Sequence, residues 1–219
     1  MILGFSGKAL AGKDSAADYL LDNYNWDKKT GFAYNLKEAC SKIFGSDLWF
    51  FTTQEGKSHT FIKPWIVDLQ TIEEIIKWMR RTHDVAIDDI DYRSLLGKEL
   101  HTPRDILQFV GTEVMRSYAV DYHIDVVLNG LSNTDKIVVA DVRFENEAAG
   151  ILNSGGHLVR LERPLKLREL CGTVADTNHP SEISLDGWGK WSYRINNNGK
   201  ELVSLYKKVD EMVSTLGIK

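Results

Sequence analysis

Gly7, Gly12 and Lys13 stand in the arrangement Gly-x-x-x-x-Gly-Lys within the stretch GFSGKALAGKDSAADYL. That spacing suits phosphate: glycines let successive backbone N–H groups curl around anionic oxygens, and a lysine at the end of the loop reaches the outer phosphates. A short apolar run, Ile2–Ser6, precedes the loop, and Ala16, Ala17, Leu20 and Leu21 recur behind it at helical spacing. The context is therefore strand, loop, helix, and the helix N-terminus adds a favourable dipole. Gly7, Ala11, Gly12 and Lys13 are the candidate nucleotide contacts, joined by Asp14 and Ser15 on the first helical turn.

Asp14 departs from the usual pattern. A hydroxyl directly after the lysine ordinarily ligates Mg²⁺, whereas here the hydroxyl is Ser15, one residue later. A carboxylate beside a triphosphate repels it unless magnesium or arginines intervene. At a helix start the same carboxylate gains from the dipole. Two roles thus stay open for Asp14 and Ser15: metal contact, directly or through water, and plain helix initiation.

Asp141 and Arg143 close a second apolar run, residues 137–140, in KIVVADVRFENEA. Carboxyl ends of parallel strands are where open α/β sheets bind ligands, so Asp141 is a candidate for substrate or water-mediated magnesium contact and Arg143 for gripping phosphate. An ordinary strand-end ion pair is the alternative, and Glu145 and Glu147 beyond it read as a solvated helix face. In RDILQFVGTEVMRSY, Arg104, Gln108, Thr112 and Arg116 are four residues apart, which on an α-helix over 103–119 makes one polar stripe opposite Leu107, Val110, Val114 and Tyr118. Arg160, Arg163, Lys166 and Arg168 form a basic segment that could bring arginines to a transferred phosphoryl group. His179 and Glu182 in TNHPSE lack a matching ligand set for zinc and read as a substrate-side or structural loop. No Gly-x-Ser-x-Gly elbow or Cys/His signature supports nucleophilic hydrolysis.

These groups need a scaffold, and the elements alternate. A strand over 31–34 precedes a helix with Leu36, Ala39, Cys40 and Ile43. Residues 46–101 break the rhythm and read as an inserted lobe. A helix over 121–131, the strand at 137–140 with its helix from Phe144, strands in HLVRLERP and SYRINNNG, and a final helix in KELVSLYKKVDEMVSTL complete a three-layer α/β domain. A continuously apolar strand such as 137–140 is expected where both sheet faces are covered.

The whole chain bounds the answer in the same direction. It has 219 residues, 43% hydrophobic and 26% charged, which is a globular composition with one domain as the default. A net charge of −4 gives no general attraction to polymeric nucleic acid. Cys40 and Cys171 form no CxxC pair, and no signal-peptide pattern or long apolar run occurs, so no membrane association and a cytoplasmic setting are expected.

Taken together, GKALAGKDSAADYL, RDILQFVGTEVMRSY, VVADVRFENEA, HPSE and INNNG resemble the deoxynucleoside monophosphate kinases of bacteriophages, a branch of the P-loop nucleotide kinases. The resemblance covers both ends of the chain and leaves 46–101 nearly unaligned. A Gly-Lys-Asp-hydroxyl sequence recurs in that family, so Asp14 does not count against activity. The resemblance implies a P-loop kinase fold with a mostly parallel sheet, helices on both faces and an inserted acceptor lobe at 46–131, with a lid at 163–182. It implies ATP- and Mg²⁺-dependent phosphorylation of a deoxynucleoside 5′-monophosphate, in the host cytoplasm for a phage protein. Lys13, Arg143, Arg163 and Arg168 would then act on the migrating phosphoryl group. Arg104, Gln108, Thr112 and Arg116 would hold the monophosphate, and Asn196 and Asn197 would approach the adenine of ATP. Two other classes stay open, a P-loop kinase of another small metabolite and a non-catalytic nucleotide-binding module, as does a homodimeric state.

Overall fold

The computed structural model describes residues 1–82, 91–129, 131–132, 134–172 and 180–218. The chain begins with β1 (Ile2–Ser6), α1 (Lys13–Asn23) and β2 (Lys28–Thr30). It continues through α2 (Tyr34–Ile43), α3 (Trp49–Thr52), α4 (Gln54–Lys57), β3 (Trp65–Ile66), α5 (Leu69–Thr82), α6 (Tyr92–Leu95) and β4 (Glu99–Leu100). Next come α7 (Pro103–Gln108), which runs on in π-helical geometry over Phe109–Arg116, and α8 (Tyr122–Leu128). The last stretch holds β5 (Ile137–Val142), α9 (Glu145–Asn153), β6 (His157–Glu162), α10 (Leu165–Glu169), α11 (Pro180–Ile183), β7 (Tyr193–Asn196) and α12 (Leu202–Leu216). Two units result, Met1–Phe32 with Gly130–Lys219, and Ala33–Asn129.

In the first unit five strands form one sheet in the order β2-β5-β1-β6-β7, every pairing parallel. β1 lies at the centre, with Gly4 opposite Val139 on one side and Leu158 on the other. That position explains why ILGFS is buried throughout and carries no alternation. Leu3 and Phe5 pack with Ala16, Ala17 and Leu20 of α1 and with Leu205, Val209, Met212 and Val213 of α12. Gly4 points to the other face, where a Cβ would stand 2.4 Å from Ile151 of α9. Helices therefore cover both faces, and the three-layer α/β expectation holds.

The expected strand at 31–34 is displaced. β2 is Lys28–Thr30, and Tyr34 already begins α2. Among the described residues β2 pairs only with β5, at the edge of the sheet, where lysines are tolerated. The apolar Phe32 is buried just past the strand instead.

The second unit has its own core, including Leu36, Phe51, Ile72, Ile75, Met79 and Phe109. α7 starts on a capping box: Thr102 Oγ1 accepts from Asp105 N at 3.2 Å, while Asp105 Oδ2 accepts from Thr102 N at 2.9 Å. Pro103 occupies the first helical position, where its missing N–H costs nothing. The regular α-helix expected over 103–119 ends at Gln108, however, and the wider π turns follow. Four-residue spacing consequently does not describe one continuous stripe from Arg104 to Arg116. A π segment of this kind is frequent at functional sites.

Candidate phosphate-binding site

The loop after β1 is shaped by backbone angles few residues adopt. Gly7 has φ 150°, and a Cβ there would lie 2.4 Å from the Leu161 carbonyl oxygen, so only glycine lets the loop pass this close to β6. Leu10 is left-handed at φ 63°, and Gly12 turns the chain into α1 at φ 103°. Ala11 N donates to Lys8 O at 3.1 Å, which closes the turn. Gly12 brings no capping side chain, leaving the first-turn N–H groups of α1 oriented for an anion. Asn197, buried at the end of β7, braces the loop by donating from Nδ2 to Ala11 O at 3.0 Å. Asn196 beside it is exposed.

Lys13 folds its ammonium over this loop, donating to Gly7 O at 2.6 Å and Lys8 O at 3.0 Å. Burial lowers its pKa from 10.5 to about 8, and the nearby Arg143 pushes in the same direction, against the opposing pull of Glu182, Asp14 and Asp141. A phosphate that needs the ammonium should therefore be held less well as pH rises through that value. We expect the affinity of the loop for a polyphosphate such as inorganic triphosphate to fall above pH about 8, as the ammonium loses its proton. A flat affinity profile from neutral pH into the alkaline range would show that the Lys13 ammonium is not required.

Around the loop, basic groups are held by acidic ones. Arg143 Nη1 donates to Glu182 Oε1 at 2.9 Å and to Ser181 Oγ at 3.2 Å. Arg160 Nη2 donates to Asp186 Oδ1 at 2.8 Å, and Lys8 Nζ to Asp186 Oδ2 at 2.9 Å. Arg168 is buried and reaches Ala9 O through Nη1 at 3.3 Å. A cavity of about 320 Å³ is lined by Lys8, Arg160, Leu161, Glu162, Arg163 and Arg168. The Nε atoms of Arg163 and Arg168 are buried and have no acceptor among the described residues. Lys166 is exposed.

Asp141 accepts from Phe32 N at 2.7 Å, and its carboxylate lies where a Cβ on Gly31 would stand, 2.5 Å away. It thus ties the turn after β2 to the end of β5 while remaining close enough to Lys13 to raise that residue's pKa. Glu147 is a correction: it is buried, not solvated, and its Oε2 accepts from Arg143 N at 2.8 Å and Phe144 N at 3.1 Å. Two backbone donors at the start of α9 need an acceptor, and this carboxylate supplies it. Glu145 is exposed, as expected.

In the second unit Arg104 Nη2 donates to Gln54 Oε1 at 3.3 Å. Gln108 and Arg116 are half-buried and Thr112 is exposed. Glu182, Asp186 and Lys8 are the groups that motif spacing did not single out for this site. Of these only Glu182 carries a sequence signal, the HPSE stretch, whose His179 lies outside the described residues, as does the 173–179 portion of the expected lid at 163–182.

No family model matches the chain. A protein of Acanthamoeba polyphaga mimivirus with the provisional name deoxynucleotide monophosphate kinase is 28% identical over 229 residues, covering 95% of this chain and 94% of its own. The chain is thus similar, over nearly its whole length, to a protein named as a nucleotide kinase. The parallel sheet, with a glycine loop at the carboxyl end of its central strand, is consistent with a P-loop kinase fold. The relative comes from a mimivirus, so it does not extend the resemblance to bacteriophages in particular.

For magnesium, the donor chemistry is spare. No group of three His, Cys, Asp or Glu side chains that could hold a metal occurs among the described residues. The Asp14 side chain is 80% exposed and 3.5 Å from Lys29, which also pairs with Asp18 at 2.6 Å. Ser15 is half-buried on the first turn of α1. Such a site suits an ion that arrives on the oxygens of ATP and takes one or two protein ligands.

Proposed function

We propose that this protein transfers the γ-phosphoryl group of ATP to a deoxynucleoside 5′-monophosphate, releasing ADP and the deoxynucleoside diphosphate. The observation that carries the reading is the buried Lys13 ammonium, held inside the glycine loop and beside Arg143 at the end of the central parallel strands. The name and near-complete coverage of the mimivirus relative support the acceptor class.

In this reading the N–H groups of the loop and of the first turn of α1 hold the β- and γ-phosphates, with Gly7, Ala11, Gly12, Lys13, Asp14 and Ser15 as the lining. Ser15 and Asp14 are the residues that would hold a magnesium ion, which would neutralise phosphate charge when bound. Lys13 and Arg143 meet the charge that spreads over the γ-phosphoryl oxygens as the acceptor oxygen bonds to phosphorus and the bond to the β-phosphate breaks. Arg163 and Arg168 complete the cationic lining of the cavity. Asn197 holds the loop in shape, and Asn196 is assigned to the nucleoside of ATP. Arg104, Gln108, Thr112 and Arg116 are assigned to the acceptor, two guanidiniums for its phosphate and the polar pair for its sugar or base. Asp141 is assigned to the substrate side through water. No covalent intermediate on the protein is required, since positioning and electrostatics supply the rate.

The decisive experiment measures ADP release from ATP with each of the four common deoxynucleoside monophosphates and with no acceptor. Turnover that depends on a deoxynucleotide is the expected result. Binding of ATP with no acceptor-dependent turnover would replace the kinase by a nucleotide-binding module, and turnover only with other small metabolites would change the acceptor class.

A further inference from the structure

One carboxylate joins the phosphate-binding loop to Arg143. Glu182 Oε2 accepts from the backbone N–H of Ala9 at 2.9 Å, and Oε1 accepts from Arg143 Nη1 at 2.9 Å. Ser181 Oγ takes a second bond from the same Nη1. The contacts span 173 residues of sequence to the loop and 39 to Arg143. A buried carboxylate is costly unless fully paired, and here both oxygens are engaged.

The two partners differ in exposure. The Glu182 side chain is 8% exposed and that of Arg143 is 36% exposed. The carboxylate is thus buried, while the arginine side chain stays partly exposed. Among the described residues both side-chain bonds of Arg143 leave from Nη1, so Nη2 and Nε remain as a fork suited to bidentate phosphate recognition. A carboxylate standing in for phosphate would instead occupy the open side and be at least as accessible as the arginine it blocks.

We infer that Glu182 is a positioning residue, which fixes the Arg143 guanidinium against the Ala9 end of the loop so that its open edge meets the outer phosphate of bound nucleotide. The identity of that nucleotide rests on the kinase reading above. Glu182 itself touches no phosphate and acts only through Arg143 and the loop.

The test is a double-mutant cycle on the full chain with Glu182→Gln, Arg143→Gln and the pair, reading ATP affinity by calorimetry and turnover by ADP release. Each single variant is expected to weaken ATP about 10-fold, a typical loss for a charge-assisted bond, and the double variant no more than about twofold beyond the weaker single. In both singles kcat falls while KM for the deoxynucleotide stays unchanged. Losses that multiply to about 100-fold would mean independent action and overturn the proposal, as would tighter ATP binding in Glu182→Gln. If Glu182→Gln does not fold by circular dichroism, Ser181→Ala cuts the second tie on Nη1. That variant should weaken ATP about threefold alone and not at all on Arg143→Gln, and equal losses in both backgrounds would overturn the proposal. Absence of turnover in the unaltered protein would sink the kinase reading, while the ATP-affinity cycle would still decide the role of Glu182.

Discussion

Replacing Lys13 with alanine is expected to reduce phosphoryl transfer by on the order of 10³-fold while leaving a folded protein, because one preorganised cation at a site of developing charge is worth that much. The reason the fold survives lies in the same burial that makes the residue effective. Its pKa falls from 10.5 to about 8, so the buried ammonium opposes folding near neutral pH by on the order of 3 kcal/mol. Between those two values the unfolded chain binds a proton that the folded chain has released, so the contribution of Lys13 to stability rises with pH across this window. Alanine removes that opposition along with the bonds to Gly7 O and Lys8 O, each worth about 1 kcal/mol net. The two effects offset to a first approximation. Circular dichroism and urea unfolding check the fold, and ADP release with a deoxynucleoside monophosphate checks the rate. Undiminished transfer in the folded variant would remove Lys13 from the reaction.

What could be read in advance was what depends on neighbours in sequence. The unit from Ile2 to the first turns of α1 is legible because its chemistry is local: a fully buried strand must be apolar, a tight anion loop needs glycine, and the following helix shows its buried face as Ala16, Ala17 and Leu20. The same holds for the start of α7 at residue 103 and for the long amphipathic helix α12.

What could not be read depends on partners far along the chain or on geometry that does not change composition. β2 is charged because it is an edge, a fact about sheet order and not about KKT. The π turns after Gln108 leave the apolar pattern of Phe109, Val110, Val114 and Met115 intact, so nothing in that pattern announced the change of register that displaces Thr112 and Arg116. Glu147 resembles any solvated glutamate until the orphan N–H groups of Arg143 and Phe144 are seen above it. Asp186 joins Lys8 across 178 residues, and no spacing rule reaches that far. The acidic partners of the site were the part hidden from sequence, since a carboxylate acquires its meaning here from the cation folded onto it.

Gly7→Ala should be the most damaging of the glycine-to-alanine changes among the described residues. Two costs coincide: φ 150° is a conformation that alanine rarely adopts, and the new Cβ would stand 2.4 Å from the Leu161 carbonyl oxygen and 3.4 Å from the Ala11 Cβ. Backbone cannot yield as a flexible side-chain tip does, and Leu161 is fixed by its place in β6 opposite Ile195 of β7. Strain and overpacking together predict a loss of about 2–5 kcal/mol in unfolding free energy. Gly45→Ala is the informative comparison. It also has positive φ, 59°, but nothing lies within 4 Å of the added methyl, so the cost should be only about 1 kcal/mol. Urea unfolding of both variants separates the two terms, because only Gly7 carries the steric one. ATP titration adds a second discrimination: Gly7→Ala must lift the loop from β6 and move the Gly7 carbonyl that Lys13 grips, so binding should weaken at least about 100-fold in whatever fraction remains folded. Equal losses for the two variants, with ATP binding intact, would mean that the close approach of loop to strand is incidental and that the anion site does not depend on it.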